Sequence, residues 1–127
     1  MAYGYELLLD LYECDEEACD NLNLCYRYLD EIVAHLGMQK QAPPTVFRTD
    51  ASDAPRQAGL VGWVALIESS VVIHTLVLDK FITIDIYSCR RFDYDDAVLV
   101  TQRFFNPRKI DRQVVVRGAN LWTSEKE

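Results

Sequence analysis

Residues 60–89 read LVGWVALIESSVVIHTLVLDKFITIDIYSC. Two apolar runs, Leu60–Ile67 and Val71–Leu78, are separated by the polar triplet Glu68-Ser69-Ser70. A third run follows, in which Ile82, Ile84 and Ile86 alternate with Thr83, Asp85 and Tyr87. A period of two is the side-chain period of a strand, and short β-rich runs bounded by polar breaks predict neighbouring strands of one sheet. The second face of the third strand is mixed, which suits an interface or a site wall better than a dry core. Glu68-Ser69-Ser70 reads first as a tight turn or bulge between hairpin strands.

Working outward, residues 3–13 predict a strand centred on Leu7-Leu8-Leu9. Asp15 then suits a helix N-cap, with Glu16 and Glu17 in the first turn. Ala18, Leu22, Cys25, Leu29, Ile32, Val33 and Leu36 recur at helical spacing up to a Gly37 stop. Pro43-Pro44 opens Thr45–Arg48, a candidate edge strand. Residues 49–58, TDASDAPRQA, read as a loop. Beyond the central strands, Asp93 caps a second helix with Ala97, Val100, Thr101 and Phe104 on one face, and Asn106-Pro107 ends it. Gln113–Arg117 reads as a last strand and Thr123–Glu127 as a frayed tail. There is no internal repeat and no low-complexity segment. The predicted architecture is α+β: a two-layer sandwich, a mainly antiparallel sheet with two helices on one face, in a single domain spanning 1–127.

Composition narrows the function. Half of the 127 residues are apolar, enough for a real core, and the net charge of −7 argues against a nucleic-acid binder. No signal-peptide pattern and no membrane-length apolar run occur, so a cytoplasmic location is expected. Cys14, Cys19, Cys25 and Cys89 lack the paired spacing of a zinc site, and a disulfide framework is not expected in a reducing compartment. Cys25 falls on the apolar helix face. No Gly-rich phosphate loop or HExxH motif is present, so neither a bound metal nor a separate dissociable cofactor is predicted.

Glu68-Ser69-Ser70, Ile73-His74-Thr75 and Asp85-Ile86-Tyr87-Ser88-Cys89 together resemble the bacterial and archaeal S-adenosylmethionine decarboxylases. In that family a Glu-Ser-His triplet leads into Ile-His-Thr, and a later strand ends in cysteine. Leu11-Tyr12-Glu13-Cys14-Asp15 and Gly59-Leu60-Val61-Gly62 are similar to further parts of the family, so the resemblance spans nearly the whole chain. It implies a pyruvoyl-dependent enzyme of polyamine biosynthesis, leading to spermidine, made as a zymogen. Ser69 Oγ would attack the Glu68 carbonyl, and elimination and hydrolysis would turn Ser69 into a pyruvoyl group. Cleavage between Glu68 and Ser69 would leave chains 1–68 and 69–127. The resemblance assigns His74 as the processing base at the Ser69 Cα. The pyruvoyl group would form a Schiff base with the substrate amine, and Cys89 would return a proton after CO2 leaves. The family pairs its domains, which implies a homodimer.

Ser69 and His74 are five residues apart, and a regular strand would place them on opposite faces. Ser69 is therefore expected at a strand end or on a bulge. Three departures stand out. Ser70 replaces the family's usual histidine, and Val61 stands where the family has a serine that assists processing. Leu76-Val77-Leu78 replaces a Trp-Pro-Glu whose ring stacks on adenine and whose carboxylate holds the ribose. Three functions stay open: S-adenosylmethionine decarboxylation, the same chemistry on L-ornithine or L-arginine, and a non-catalytic homologue that regulates an active partner.

Overall fold

The computed structural model describes residues 2–49, 52 and 54–122. Six strands form one sheet in the order β2-β3-β4-β5-β1-β6, with every neighbour antiparallel. They are β1 (Gly4–Tyr12), β2 (Thr45–Thr49), β3 (Gly59–Leu66), β4 (Ser69–Leu76), β5 (Phe81–Ser88) and β6 (Lys109–Arg117). The three helices are α1 (Glu16–Cys19), α2 (Leu22–Leu36) and α3 (Tyr94–Phe105). The two-layer α+β reading holds, with β2 at one edge of the sheet. Part of the 49–58 loop is a 3-10 turn, Pro55–Gln57. The Thr123–Glu127 tail lies outside the described residues.

Alternation decides which face is dry. Leu7, Leu9 and Leu11 of β1, Val71 and Ile73 of β4, and Ile82, Ile84 and Ile86 of β5 are all buried, beneath Leu29, Ile32 and Val33 of α2. Between the helices, the Tyr28 hydroxyl meets Thr101 Oγ1 at 2.8 Å, and its ring packs edge-on against Phe105 at 4.9 Å. The residues of the other parity line an open face that no helix covers among the described residues.

Two expectations need correction. The single helix from Asp15 to Gly37 is two, broken at Asp20-Asn21. The Asn21 side chain accepts the Leu24 N–H at 2.9 Å and starts α2 afresh, while Asp15 makes no side-chain cap bond. The apolar spacing runs across the break because both pieces press on the same core. In α3 the fully buried aromatic is Phe105, with Phe104 only partly covered. The caps at the other ends are as expected: Gly37 is left-handed at φ 65°, and Asp93 accepts the Asp96 N–H at 3.0 Å.

Glycine matters where backbones crowd. A Cβ on Gly59 would lie 1.8 Å from the Thr75 carbonyl oxygen, so no side chain fits where β3 begins beside β4. At the opposite end of the sheet, a Cβ on Gly4 would lie 3.0 Å from the Ser88 carbonyl oxygen. There the start of β1 and the end of β5 meet the β3–β4 hairpin.

Candidate active site

The hairpin joins Leu66 to Ser69, paired across the ladder, through Ile67 and Glu68 alone. Glu68 takes a left-handed backbone at φ 63°. That region favours glycine and costs another residue on the order of 1–2 kcal/mol. The strained residue is thus the one whose carbonyl precedes Ser69.

Ser69 opens β4 and stands opposite Ser88, the last residue of β5. Opposed residues of an antiparallel pair share a face, and here their hydroxyls meet: Ser69 Oγ donates to Ser88 Oγ at 3.2 Å. Ser88 is 1% exposed, and its oxygen also accepts the Arg90 N–H at 3.0 Å. Cys89 grips Glu68 twice. Its backbone N–H donates to the Glu68 carbonyl oxygen at 3.3 Å, and its Sγ donates to Glu68 Oε2 at 2.9 Å. That bond to the carboxylate, followed by burial and the Glu68 charge, raises the thiol above its ordinary range, with Arg90 opposing. Burial first, then the charges of Tyr87, Cys89 and Glu68, raise the hydroxyl of Tyr3, the residue before β1.

Glu68, Ser69 and Cys89 therefore come together as the spacing requires, with Ser69 at a strand end rather than on a bulge. His74 does not join them. β4 pairs regularly with β5 from Ser69 to Leu76, and His74 lies on the open face opposite Thr83 and Val61. Five residues at about 3.3 Å each place it roughly 16 Å along the strand from Ser69. Ser88 escaped the sequence reading. Only the cross-strand register brings it to Ser69, although the hydroxyl directly before Cys89 was a signal within reach.

On the open face near His74, Asp85 is half-buried, and among the described residues no ion pair holds it. Burial, then Glu6, raises its carboxyl above the usual range; His74 pulls it down and Asp10 pushes it up. Asp85 lines a groove with Leu8, Asp10, Thr83, Asp111, Arg112 and Gln113. A larger cavity of about 730 Å³ lies at the far end of the sheet, between Asp20, Arg48 and Val77, away from Ser69. Among the described residues no cluster of His, Cys, Asp or Glu could hold a metal ion, and no helix is long and apolar enough to cross a membrane.

The family model for S-adenosylmethionine decarboxylase matches residues 5–118. The chain belongs to that family. Among its relatives, the S-adenosylmethionine decarboxylase proenzyme of Methanococcus aeolicus is 28% identical over 117 residues, covering 91% of this chain and 94% of the relative. The proenzyme of Aquifex aeolicus is 30% identical over 122 residues, covering 91% and 81%. The crystal structure of the Aquifex aeolicus adenosylmethionine decarboxylase superposes with a TM-score of 0.74 at 26% identity, covering 92% of each chain. As a member of the S-adenosylmethionine decarboxylase family, the chain has decarboxylase relatives that are made as proenzymes. The hairpin corner at Glu68-Ser69 lies within the matched span.

Proposed function

We propose that this chain is a zymogen that cuts itself between Glu68 and Ser69 and becomes a cytoplasmic, pyruvoyl-dependent S-adenosylmethionine decarboxylase of polyamine biosynthesis. One observation carries the reading: the Glu68 carbonyl, in a strained corner, accepts the Cys89 N–H while the hydroxyl of the very next residue, Ser69, is held by Ser88 Oγ. A donor aimed at the scissile carbonyl oxygen stabilises the negative charge that attack would place there. Moving the acyl group from nitrogen to oxygen also lets the left-handed Glu68 relax.

The residues present fit a pyruvoyl group. Its precursor hydroxyl is at position 69, half-buried, with Ser88 opposite and the Cys89 thiol against the preceding residue. When formed, the group supplies an electron sink for the pair left by departing CO2. Ser88 and Cys89 would line it. The Glu68 carboxylate holds the Cys89 thiol protonated, as a residue that returns a proton to carbon must be. His74 is the proposed base for the Ser69 Cα proton. Since it lies along the strand on the other face, that step requires the start of β4 to leave its ladder.

A second reading keeps this chemistry on L-ornithine or L-arginine. Asp85 favours it: a half-buried carboxylate that no ion pair holds among the described residues is suited to a cationic tail, whereas Leu76 and the exposed Leu78 offer neither a stacking face nor an acceptor for a nucleoside. Decarboxylation assays with all three substrates separate the two.

Purified protein should resolve by mass spectrometry into chains of 68 and 59 residues. Ser69→Ala should remain whole. A wild-type chain still intact after long incubation removes the enzyme reading and leaves the non-catalytic homologue. The partner proposed is a second copy of the chain, covering the open sheet face.

A further inference from the structure

Resting on the self-cleavage reading, we propose that Ser88 is the positioning residue for the attack, supplying the hydroxyl that Val61 lacks. Val61 pairs with His74 on the open face, well along the strand from the hairpin corner, and its side chain offers no hydrogen bond. Ser88 is opposite the nucleophile itself, and its Oγ is the acceptor of the Ser69 hydroxyl. Its own position is fixed by burial and by the Arg90 N–H, which donates to the same oxygen.

This arrangement acts on the first step alone. The Ser69 Oγ–C bond to the Glu68 carbonyl carbon forms, the Glu68–Ser69 C–N bond breaks, and the hydroxyl proton ends on the freed Ser69 nitrogen. The shift is an isomerisation and needs no outside reagent. An exposed serine hydroxyl samples several rotamers and points its proton in any of them. Accepted by Ser88, the Ser69 proton is held toward β5, and the oxygen is kept within the corner where Cys89 N–H fixes the carbonyl. Residues 88–89 thus hold both partners of the reaction, one by a side chain and one by the backbone. Neither contact depends on the open face where the family's serine would lie.

Two variants of equal bulk isolate the hydroxyl. Ser88→Thr keeps it; Ser88→Val replaces it with a methyl. Cleavage is followed by mass spectrometry in freshly purified full-length chain. Thr should cut within about threefold of wild type, whereas Val should cut at least about tenfold more slowly, the factor expected for losing one positioning hydrogen bond. The slow variant should accumulate the intact amide, so hydroxylamine should release no extra fragments. Melting temperatures check that Thr and Val are equally folded; if Val is not, Ser88→Ala, which only removes atoms, takes its place with the same expectation. Equal cleavage by the hydroxyl-bearing and hydroxyl-free variants overturns the proposal, as does build-up of a hydroxylamine-labile ester in the latter. In either case a cleaving wild type leaves the self-cleavage reading standing. A wild type that never cuts defeats that reading first.

Discussion

At the scale of single residues, the site divides its labour between two strand ends and one strand middle. Cys89 and His74 both carry chemistry under the proposed reading, but their places predict different failures. Cys89 touches the scissile residue through its thiol and its backbone, and alanine at 89 removes only the thiol. Cys89→Ala should therefore still yield cleaved chain while its decarboxylation rate falls, by about 10²-fold or more if the thiol is the proton donor. His74 is remote from the attack and is needed only for the Cα proton. His74→Ala should stall at an ester that hydroxylamine cuts. Intact masses with and without hydroxylamine, beside turnover assays, give the comparison. If Cys89→Ala melts like wild type and turns substrate over normally, the thiol has no catalytic part. Both residues were visible in the sequence through their spacing to Ser69. Ser88 was not, because a pairing nineteen residues distant becomes specific only once the β4–β5 register is known.

At the scale of elements, the strands were legible because their burial follows the alternation of the residues themselves, as Ile82, Ile84 and Ile86 show. The break between α1 and α2 was not, since Ala18 and Cys25 bury on the same side of it and only the Asn21 cap marks the restart. His74 shows the limit of spacing as evidence: five residues match a family motif, yet a regular strand turns them to opposite faces. The open face of β5 has its own consequence. Asp85 is raised in the folded chain, chiefly by burial and then by Glu6. A carboxyl raised on folding binds its proton more tightly in the native state. Its favourable contribution is complete below its ordinary value of 3.8 and is lost as pH climbs through the higher native value. Asp85→Asn should thus stabilise the fold at neutral pH, with the gain shrinking as pH falls toward 4. Chemical denaturation of both proteins across that range measures it. An unchanged or growing gain at acid pH contradicts the assignment.

At the scale of the whole molecule, strand order decides what the proposed self-cleavage would do to the fold. A cut after Glu68 leaves β1, β2 and β3 on one chain and β4, β5 and β6 on the other. In the sheet the two sets interleave, with β1 clamped between β5 and β6 and β3 paired to β4. Three ladders and a shared core would have to open before the pieces part. The cleaved protein should run as one species in native size exclusion and separate only in denaturant; fragments that part in native buffer would rule the topology out. The same sheet leaves its second face without a layer. That face carries Leu8, Val72 and Leu76 among Asp10, Thr83 and Asp85, too apolar in places for a solvent wall and too charged for a sealed core. A second copy offers the same mixture and, under two-fold symmetry, sets like patches against like, so the apolar positions can meet while the carboxylates stay at a wet seam. Light scattering at micromolar concentration should therefore return twice the protomer mass. Leu8→Arg puts a cation in the middle of that face without touching the helix-side core, and it should halve the mass while leaving the melting curve of the protomer and its cleavage at Glu68 largely unchanged. A wild-type protein that scatters as a monomer, or a Leu8→Arg protein that remains a dimer, places the contact elsewhere or denies it.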